Sequence, residues 1–270
     1  MSTSTQTPTN PAPPAAQKIT PPTQILNTTI AKLYSTIHPL VLLILVTVRF
    51  DALVQDPISE LLNDLPFLVG LQLLFVVLCL PPAGADEKHD PVHKSKAGIR
   101  RRVKTDAVGG VSGIVAGFIP GVLSLILTTL LATPVLTLLL VLFGAPATTH
   151  HAQTVLAGAH MAVLASPPLI YVHGVDGSVW REVWGANRPG DVVWGGALGT
   201  CVGAWFGAVP VPLDWDRPWQ AFPITVLVGA YIGYAVGVWL GGSVLFGRRL
   251  KIEEDEDLDL DSEVEGKKTE

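Results

Sequence analysis

Residues 107–146 read AVGGVSGIVAGFIPGVLSLILTTLLATPVLTLLLVLFGAP, and these 40 residues include no charged side chain. A helix needs about 20 mostly apolar residues to cross the roughly 30 Å hydrocarbon layer of a bilayer. The stretch is therefore long enough for one span preceded by a re-entrant or interfacial segment, or for two short spans. Either arrangement makes this chain an integral membrane protein.

Apolar runs of similar character follow one another along the rest of the chain. They cover residues 37–54, 65–80, 154–172, 192–211 and 224–246. The composition agrees, since 49% of the residues are hydrophobic and 15% are charged, against about a quarter charged in a soluble domain. The sequence predicts an all-α, polytopic membrane helix bundle with about six transmembrane helices, seven being the alternative.

The distribution of Lys and Arg favours six spans over seven, because cytoplasmic loops carry the excess of basic residues. With six spans, 16 of the 18 basic residues lie on one side, including seven in the loop 83–106. The other side holds Arg217, with Arg49 near its boundary. Seven spans would move Arg181, Arg188 and the basic stop after the last span to the opposite side. We therefore expect both termini in the cytosol and place the third span at Val122 to Phe143.

Two polar segments flank the predicted transmembrane domain, 33–246. Residues 1–32 are rich in Ser, Thr and Pro and predict a disordered cytosolic arm without a cleaved signal peptide. Residues 247–270 form an acidic cytosolic tail that accounts for the net charge of −5 and gives no indication of a nucleic-acid partner. The ending Lys267-Lys268-Thr269-Glu270 is similar to a dilysine retrieval signal for the endoplasmic reticulum, or else neutralises the acidic run.

Glycine recurs every fourth residue in three places, and the rows are Gly109-Gly113-Gly117-Gly121, Gly195-Gly199-Gly203-Gly207 and Gly229-Gly233-Gly237-Gly241. On a helix this spacing makes a flat face that another backbone can approach closely. The helices could pack against one another, or the faces could receive a partner. Both interpretations predict tight helix contacts in the second half of the chain.

Chemistry-bearing motifs are scarce in this sequence. It contains no G-x-S-x-G, P-loop or C-x-x-C motif. His150 and His151 precede His160 by nine or ten residues, which is not one-turn helical spacing, and no carboxylate lies close in sequence. We interpret the His150-His151 pair as interfacial histidines at a helix start, and we expect no catalytic, metal or cofactor site.

The segment PVPLDWDRPWQAFP, residues 210–223, is the most informative one outside the apolar runs. Trp215 and Trp219 are typical anchors at headgroup level. Asp214, Asp216 and Arg217 lie between them, and charges so near the bilayer are usually paired or functional. The segment is either an anchored hairpin with an internal ion pair or a contact site for a partner or a lipid headgroup.

This segment also carries a family resemblance. Residues 203–220 read GAWFGAVPVPLDWDRPWQ, Pro223-Ile224 and the run GAYIGY of residues 229–234 follow, and Phe143 to Pro146 closes an earlier span. Together they resemble the PIG-F family, over roughly residues 33–245. The similarity is specific in the last two spans and loose in the first two.

The resemblance implies a multi-pass protein of the endoplasmic-reticulum membrane that acts in GPI-anchor biosynthesis. It implies a non-catalytic subunit that stabilises the transferases adding ethanolamine phosphate to the mannoses of the anchor. The expected partners are those catalytic subunits and membrane lipid, with a GPI precursor as one candidate. The expected contact residues are Gly203, Gly207, Asp214, Trp215, Asp216, Arg217, Trp219, Gly229 and Gly233.

A stand-alone membrane lipid transporter or lipid-modifying enzyme is the alternative function. A transporter is expected to show polar residues at mid-span or paired broken helices, and an enzyme needs convergent titratable groups. Neither pattern is evident in the sequence, so the subunit interpretation is favoured.

Overall fold

The computed structural model describes residues 21–84, 111–185, 187–213 and 216–249, with no side chains described for 111–114. Every element in these ranges is helical. The elements are α1 (Thr29–Val48), α2 (Phe50–Gln55), α3 (Pro57–Cys79), α4 (Val111–Leu127), a π-helical turn (Thr128–Ala132), α5 (Thr133–Leu142), α6 (His151–His173), α7 (Gly177–Trp184), α8 (Val192–Ala208), a 3₁₀ turn (Pro218–Gln220) and α9 (Ile224–Gly242).

The described residues confirm the predicted membrane helix bundle. Five helical stretches are long and apolar enough to cross a membrane, and α8, with 17 residues, is a shorter apolar helix. Together they supply the six predicted spans. The terminal arm through residue 20, residues 85–110, Lys267 and Lys268 lie outside the described residues.

Within the long apolar stretch, Val111 to Leu142 form one helical run that does not divide into two spans. From Val115 to Leu142 it has 28 residues, so the predicted span at Val122 to Phe143 begins too late. Pro120 is accommodated inside α4. The π-helical turn ends just before Thr133 and Pro134. Pro134 has no backbone N–H, so it cannot donate a hydrogen bond to the preceding helical turn.

The second span also begins earlier than predicted, at Pro57 where we expected residue 65. Proline suits the first turn of a helix because its missing N–H would have no partner there. Asp56 caps this start, with its carboxylate accepting the Ser59 N–H at 3.2 Å and the Ser59 hydroxyl at 2.6 Å. These hydrogen bonds hold the pKa of Asp56 below its ordinary value. Glu60 and Asp64 consequently fall within α3.

Helices α3, α6 and α9 form the interior of the bundle. Leu68, Phe75, Leu164 and Tyr234 are buried completely or nearly so. α6 supplies the largest buried share of any candidate span and runs without interruption through its two adjacent prolines. α1, α4, α5 and α8 pack around this centre and expose large apolar side chains.

The ends of the helices define two ends of the bundle. At the first, residues 21–28, 80–84, 174–185, 187–191 and 243–249 lie together. Backbone hydrogen bonds join Leu26 to Cys79 (2.9 Å), Ala83 to Tyr171 (2.9 Å) and Gly190 to Arg248 (2.7 Å). We call this first end of the bundle the arginine end. Residues 49–56, 143–150 and 209–223 connect helices at the other, the hairpin end.

Candidate functional site

The second and third glycine rows meet in the antiparallel pair α8–α9, which has the most extensive contact of any two helices. Gly195 faces Gly237, Gly199 faces Gly233, and Gly203 faces Gly229. The intramolecular interpretation of these rows is therefore confirmed. We call this contact the glycine seam.

The seam leaves no room for a side chain. A Cβ on Gly203 would lie 2.7 Å from the Cα of Gly233 and still closer to the Gly229 carbonyl oxygen. A Cβ on Gly229 would lie 2.9 Å from the Cα of Gly207. The obstacle in each case is backbone of the partner helix, so only glycine allows this approach. Van der Waals contact of this kind is a main source of helix association in lipid.

An apolar groove of about 650 Å³ runs along the outside of the glycine seam. Its floor includes all four glycines expected to contact a partner. Its walls are apolar side chains, and its two ends are marked by Trp194 and Trp219. The exposed wall residues are Leu198, Val202, Phe206, Ile232 and Val236. The groove extends along both helices and presents almost no polar atoms.

The hairpin between α8 and α9 closes one end of the groove. Gln220 holds it together, with its amide nitrogen donating to the carbonyl oxygens of Pro210 (2.8 Å) and Leu213 (2.6 Å). Asp216 adopts a φ of 51°, a left-handed conformation that Asp tolerates better than most residues. Asp216 and Arg217 line a second cavity of about 370 Å³ next to the groove. Asp214 and Trp215 lie outside the described residues.

Arg49 forms an ion-pair cluster that the sequence analysis missed. Its guanidinium Nε contacts the Glu60 carboxylate and lies 3.1 Å from a carboxylate oxygen of Asp64. The hydrogen bond to Glu60 raises the pKa of Arg49 above its ordinary value. Glu60 and Asp64 are buried and lie one helical turn apart in α3. Two acidic residues four apart, shortly after an arginine at the end of the preceding span, were the sequence signal for this cluster.

Polar side chains also lie within the bundle, where the sequence analysis found none. His38 and Gln72 are fully buried. The His38 ring stacks on Phe75 with centroids 4.6 Å apart, and the Gln72 amide donates to the Leu164 carbonyl oxygen at 3.2 Å. Gln72 thereby joins α3 to α6. Isolated polar residues inside apolar runs were the available signal.

The three histidines considered as a metal site do not come together. His160 is buried, and its ring nitrogens contact the Leu61 carbonyl oxygen (3.0 Å) and the Tyr231 hydroxyl (3.1 Å). His150 contacts the Thr149 hydroxyl at 2.9 Å, at the start of α6. Within the described ranges, no three His, Cys, Asp or Glu side chains form a group that could hold a metal ion.

The sequence matches one family model over most of its length. The model described as GPI biosynthesis protein family Pig-F matches residues 37–242. The chain belongs to the Pig-F family. The matched range begins in α1 and ends with α9, so the Pig-F region includes the Arg49 cluster, the glycine seam and the hairpin.

Curated relatives support the Pig-F assignment. Glycosylphosphatidylinositol anchor biosynthesis protein 11 of Aspergillus fumigatus is 54% identical over 94% of this chain and 93% of its own length. The Neurospora crassa protein of the same name is 42% identical over 84% of this chain and 80% of its own length.

A more distant Pig-F relative is human. The GPI ethanolamine phosphate transferase, stabilizing subunit, is 31% identical over 43% of this chain and 54% of its own length. No solved structure gives a significant match.

Proposed function

We propose that this Pig-F protein is a non-catalytic subunit that stabilises the ethanolamine-phosphate transferases of GPI-anchor biosynthesis in the endoplasmic-reticulum membrane. The observation that carries the proposal is the family match over residues 37–242, joined with the human relative named as a stabilizing subunit of that transferase. The site is consistent with such a role, because it offers an apolar surface at membrane depth and a polar hairpin beside it.

The partner surface in this proposal is the groove together with the hairpin. Gly203, Gly207, Gly229 and Gly233 already serve the seam and form only the groove floor. The exposed walls would therefore supply most of the contact with an apolar transmembrane helix of the transferase. At the hairpin, Asp214, Trp215, Asp216, Arg217 and Trp219 would contact the partner or a lipid headgroup, with a GPI precursor as one candidate.

Filling the groove tests this surface without disturbing the seam. Val202 and Val236 are 43% and 48% exposed, so tryptophan at either position can project into the groove. We expect V202W/V236W to reduce the co-purified transferase at least severalfold while the variant itself accumulates normally. Leu138→Trp is the matched control, because Leu138 is 59% exposed on α5 and does not line the groove. Unchanged recovery with the double variant would remove the groove from the proposal.

Reconstitution tests the function itself. Purified transferase, alone and with this protein, would be compared in liposomes for ethanolamine-phosphate transfer and for the half-life of the transferase. We expect this protein to prolong the half-life and to show no transfer by itself. Transfer of ethanolamine phosphate by this protein without any transferase would refute the non-catalytic assignment.

A lipid transporter remains the second candidate, because of the polar groups buried in the bundle. His38, Gln72 and Tyr234 are fully or almost fully buried, and intramembrane polar groups often mark transport pathways. Neither cavity described above is lined by them. Movement of a labelled lipid across proteoliposomes containing only this protein would favour the transporter over the subunit.

We propose the orientation with the arginine end and both termini in the cytosol. The support is the concentration of Lys and Arg on that side. A glycosylation acceptor site attached to the tail should stay unmodified. Its glycosylation would show that the tail lies in the lumen, and the proposed orientation would then be wrong.

Retrieval through Lys267 and Lys268 is a separate proposal about localisation. The double variant K267S/K268S should leave the endoplasmic reticulum, which microscopy of the tagged protein would detect. Its retention would show that the ending is dispensable.

A further inference from the structure

Helix α7 is set apart from the membrane spans by length, composition and position. It has eight residues, GSVWREVW, and connects the end of α6 to the start of α8 at the arginine end. Asp176 caps it by accepting the Ser178 N–H at 2.9 Å, and this hydrogen bond lowers the pKa of Asp176. Because α6 ends before it and α8 begins after it, α7 lies at one end of the bundle.

The two faces of α7 have different surroundings. Val183 is buried, and the Trp180 indole N–H donates to the Gly174 carbonyl oxygen at 2.9 Å, so this face is fastened to the bundle. Trp184 is 78% exposed, and Arg181 is exposed as well. Residues three or four apart are neighbours on a helix surface, so Trp184 adjoins both Arg181 and Trp180, and the two indole centroids lie 6.3 Å apart. The outward face therefore presents an indole and a guanidinium together.

Further arginines lie at the same end of the bundle as α7. Gly190 donates to the Arg248 carbonyl oxygen at 2.7 Å and accepts from the Gly247 N–H at 2.9 Å, which places residues 247–249 beside the start of α8. Arg188 is half-buried, and Arg248 and Arg249 are exposed. We call Arg181, Trp184, Arg188, Arg248 and Arg249 the Arg–Trp patch.

Arginines outnumber the acidic side chains among the described residues at this end. Asp191 is buried and accepts the N–H groups of Thr23 and Trp194 at 2.9 and 2.8 Å. Asp176 accepts hydrogen bonds from Ser178 and also interacts electrostatically with Arg181, and Glu182 has a partner as well. The described part of this end therefore has four arginines and three acidic residues. Backbone N–H groups donate hydrogen bonds to two of these acidic residues, Asp176 and Asp191.

This combination matches the chemistry of an anionic lipid surface. Amphipathic helices that lie in the membrane interface bury apolar side chains among the upper acyl chains and extend cationic ones to the headgroups. Indole rings favour the same depth, and guanidinium groups bind phosphate in a bidentate manner. We propose that α7 lies in the membrane interface and that the Arg–Trp patch binds the headgroups of anionic phospholipids in that leaflet.

The depth of Trp184 tests the first half of the proposal. The full chain and its Trp184→Phe variant would be placed in nanodiscs with lipids brominated near the top of the acyl chains, and the fluorescence difference isolates Trp184. We expect brominated lipid to quench this difference signal and aqueous acrylamide to quench it weakly. Strong acrylamide quenching without bromolipid quenching would place α7 in water or against a soluble partner, and would overturn the proposal.

Lipid selectivity tests the second half. The protein would be purified from mixed phosphatidylserine and phosphatidylcholine vesicles, and the retained lipids would be counted by native mass spectrometry. Each arginine near an anionic surface contributes about fivefold to binding at low salt. R181Q/R188Q should therefore lower selective retention of phosphatidylserine by at least tenfold.

The charge-preserving variant R181K/R188K is the matched control and should keep most of the selectivity, since lysine also attracts anionic headgroups. It also separates a binding defect from a folding defect. Equal retention of phosphatidylserine by wild type and R181Q/R188Q would overturn the proposal, as would equal losses in the Gln and Lys variants.

Discussion

Two regions of this protein carry the same glycine spacing and use it differently. In the α8–α9 seam, the position of a Cβ on Gly203 is taken by backbone atoms of Gly229 and Gly233. In α4, a Cβ on Gly117 would lie 2.7 Å from the Tyr171 hydroxyl, and one on Gly121 would lie 2.8 Å from a methyl group of Leu73. The seam glycines face a backbone, and the α4 glycines face side chains.

The difference matters because side chains can change rotamer, whereas the backbone of a helix moves only with the whole helix. The seam therefore requires glycine for the helix pair to exist at its observed separation. Glycine in α4 improves the fit to α3 and α6 but leaves alternatives. Three substitutions at these sites and a control in α3 can order the two regions by cost.

Gly203→Ala should have the largest effect. The added methyl group would displace α9 along much of the seam, and we expect a loss of about 3 kcal/mol, at the upper end of overpacking costs. Reversible unfolding in mixed detergent micelles, followed by circular dichroism, would measure it. A loss below that of the α4 variants would contradict the rigid-backbone explanation.

Gly117→Ala should cost less, about 1.5 kcal/mol, because the obstacle is a single hydroxyl group. Removing that hydroxyl offers a direct control. We expect Gly117→Ala to cost much less stability in the Y171F background than in the wild-type protein. Additive losses in this cycle would show that the Tyr171 hydroxyl is not the cause.

Gly121→Ala should be milder still, at about 1 kcal/mol, since a leucine methyl can rotate away. The Leu73→Ala background should lower this cost, leaving the contact with a Val77 methyl group at 3.0 Å. The same unfolding assay applies, and an unchanged cost in that background would implicate the α4 backbone instead.

Gly70→Ala should have the smallest effect and the opposite sign. Gly70 lies within α3, and no neighbouring atom comes within 4 Å of the position that the alanine methyl group would take. Alanine restricts the unfolded chain and favours helix, so we expect a gain of about 0.5 kcal/mol. A loss of stability would mean that this face of α3 also needs a small residue. The difference between the glycine seam and the α4 glycines would then be smaller than we infer.

The candidate site shows where sequence reasoning succeeds and where it ends. The glycine rows predicted close helix contact, and the contact exists. Their spacing could not show that α8 and α9 pack against each other through these rows, because the same glycine face suits a helix of this chain or a helix of a partner. The Arg49 cluster was missed since its charges lie eleven and fifteen residues apart in sequence.

Local properties of the sequence determined the class of this protein. Span number follows from the length of the apolar runs together with the placement of Lys and Arg, and that placement also gives the expected orientation. Neither inference needs knowledge of which helices touch. The W-D-R-P-W segment likewise identified the family without any structure.

The tertiary structure decided the relations between the spans. It joined residues 111–142 of the 40-residue stretch into one helical run, set the start of α3 at Pro57, buried His38 and Gln72 in the bundle, and turned two glycine rows into one seam with a groove outside it. Lipid and protein interior are both apolar, so hydropathy cannot distinguish a face turned to lipid from one turned to another helix. Only packing geometry makes that distinction, through the atoms that each side chain meets.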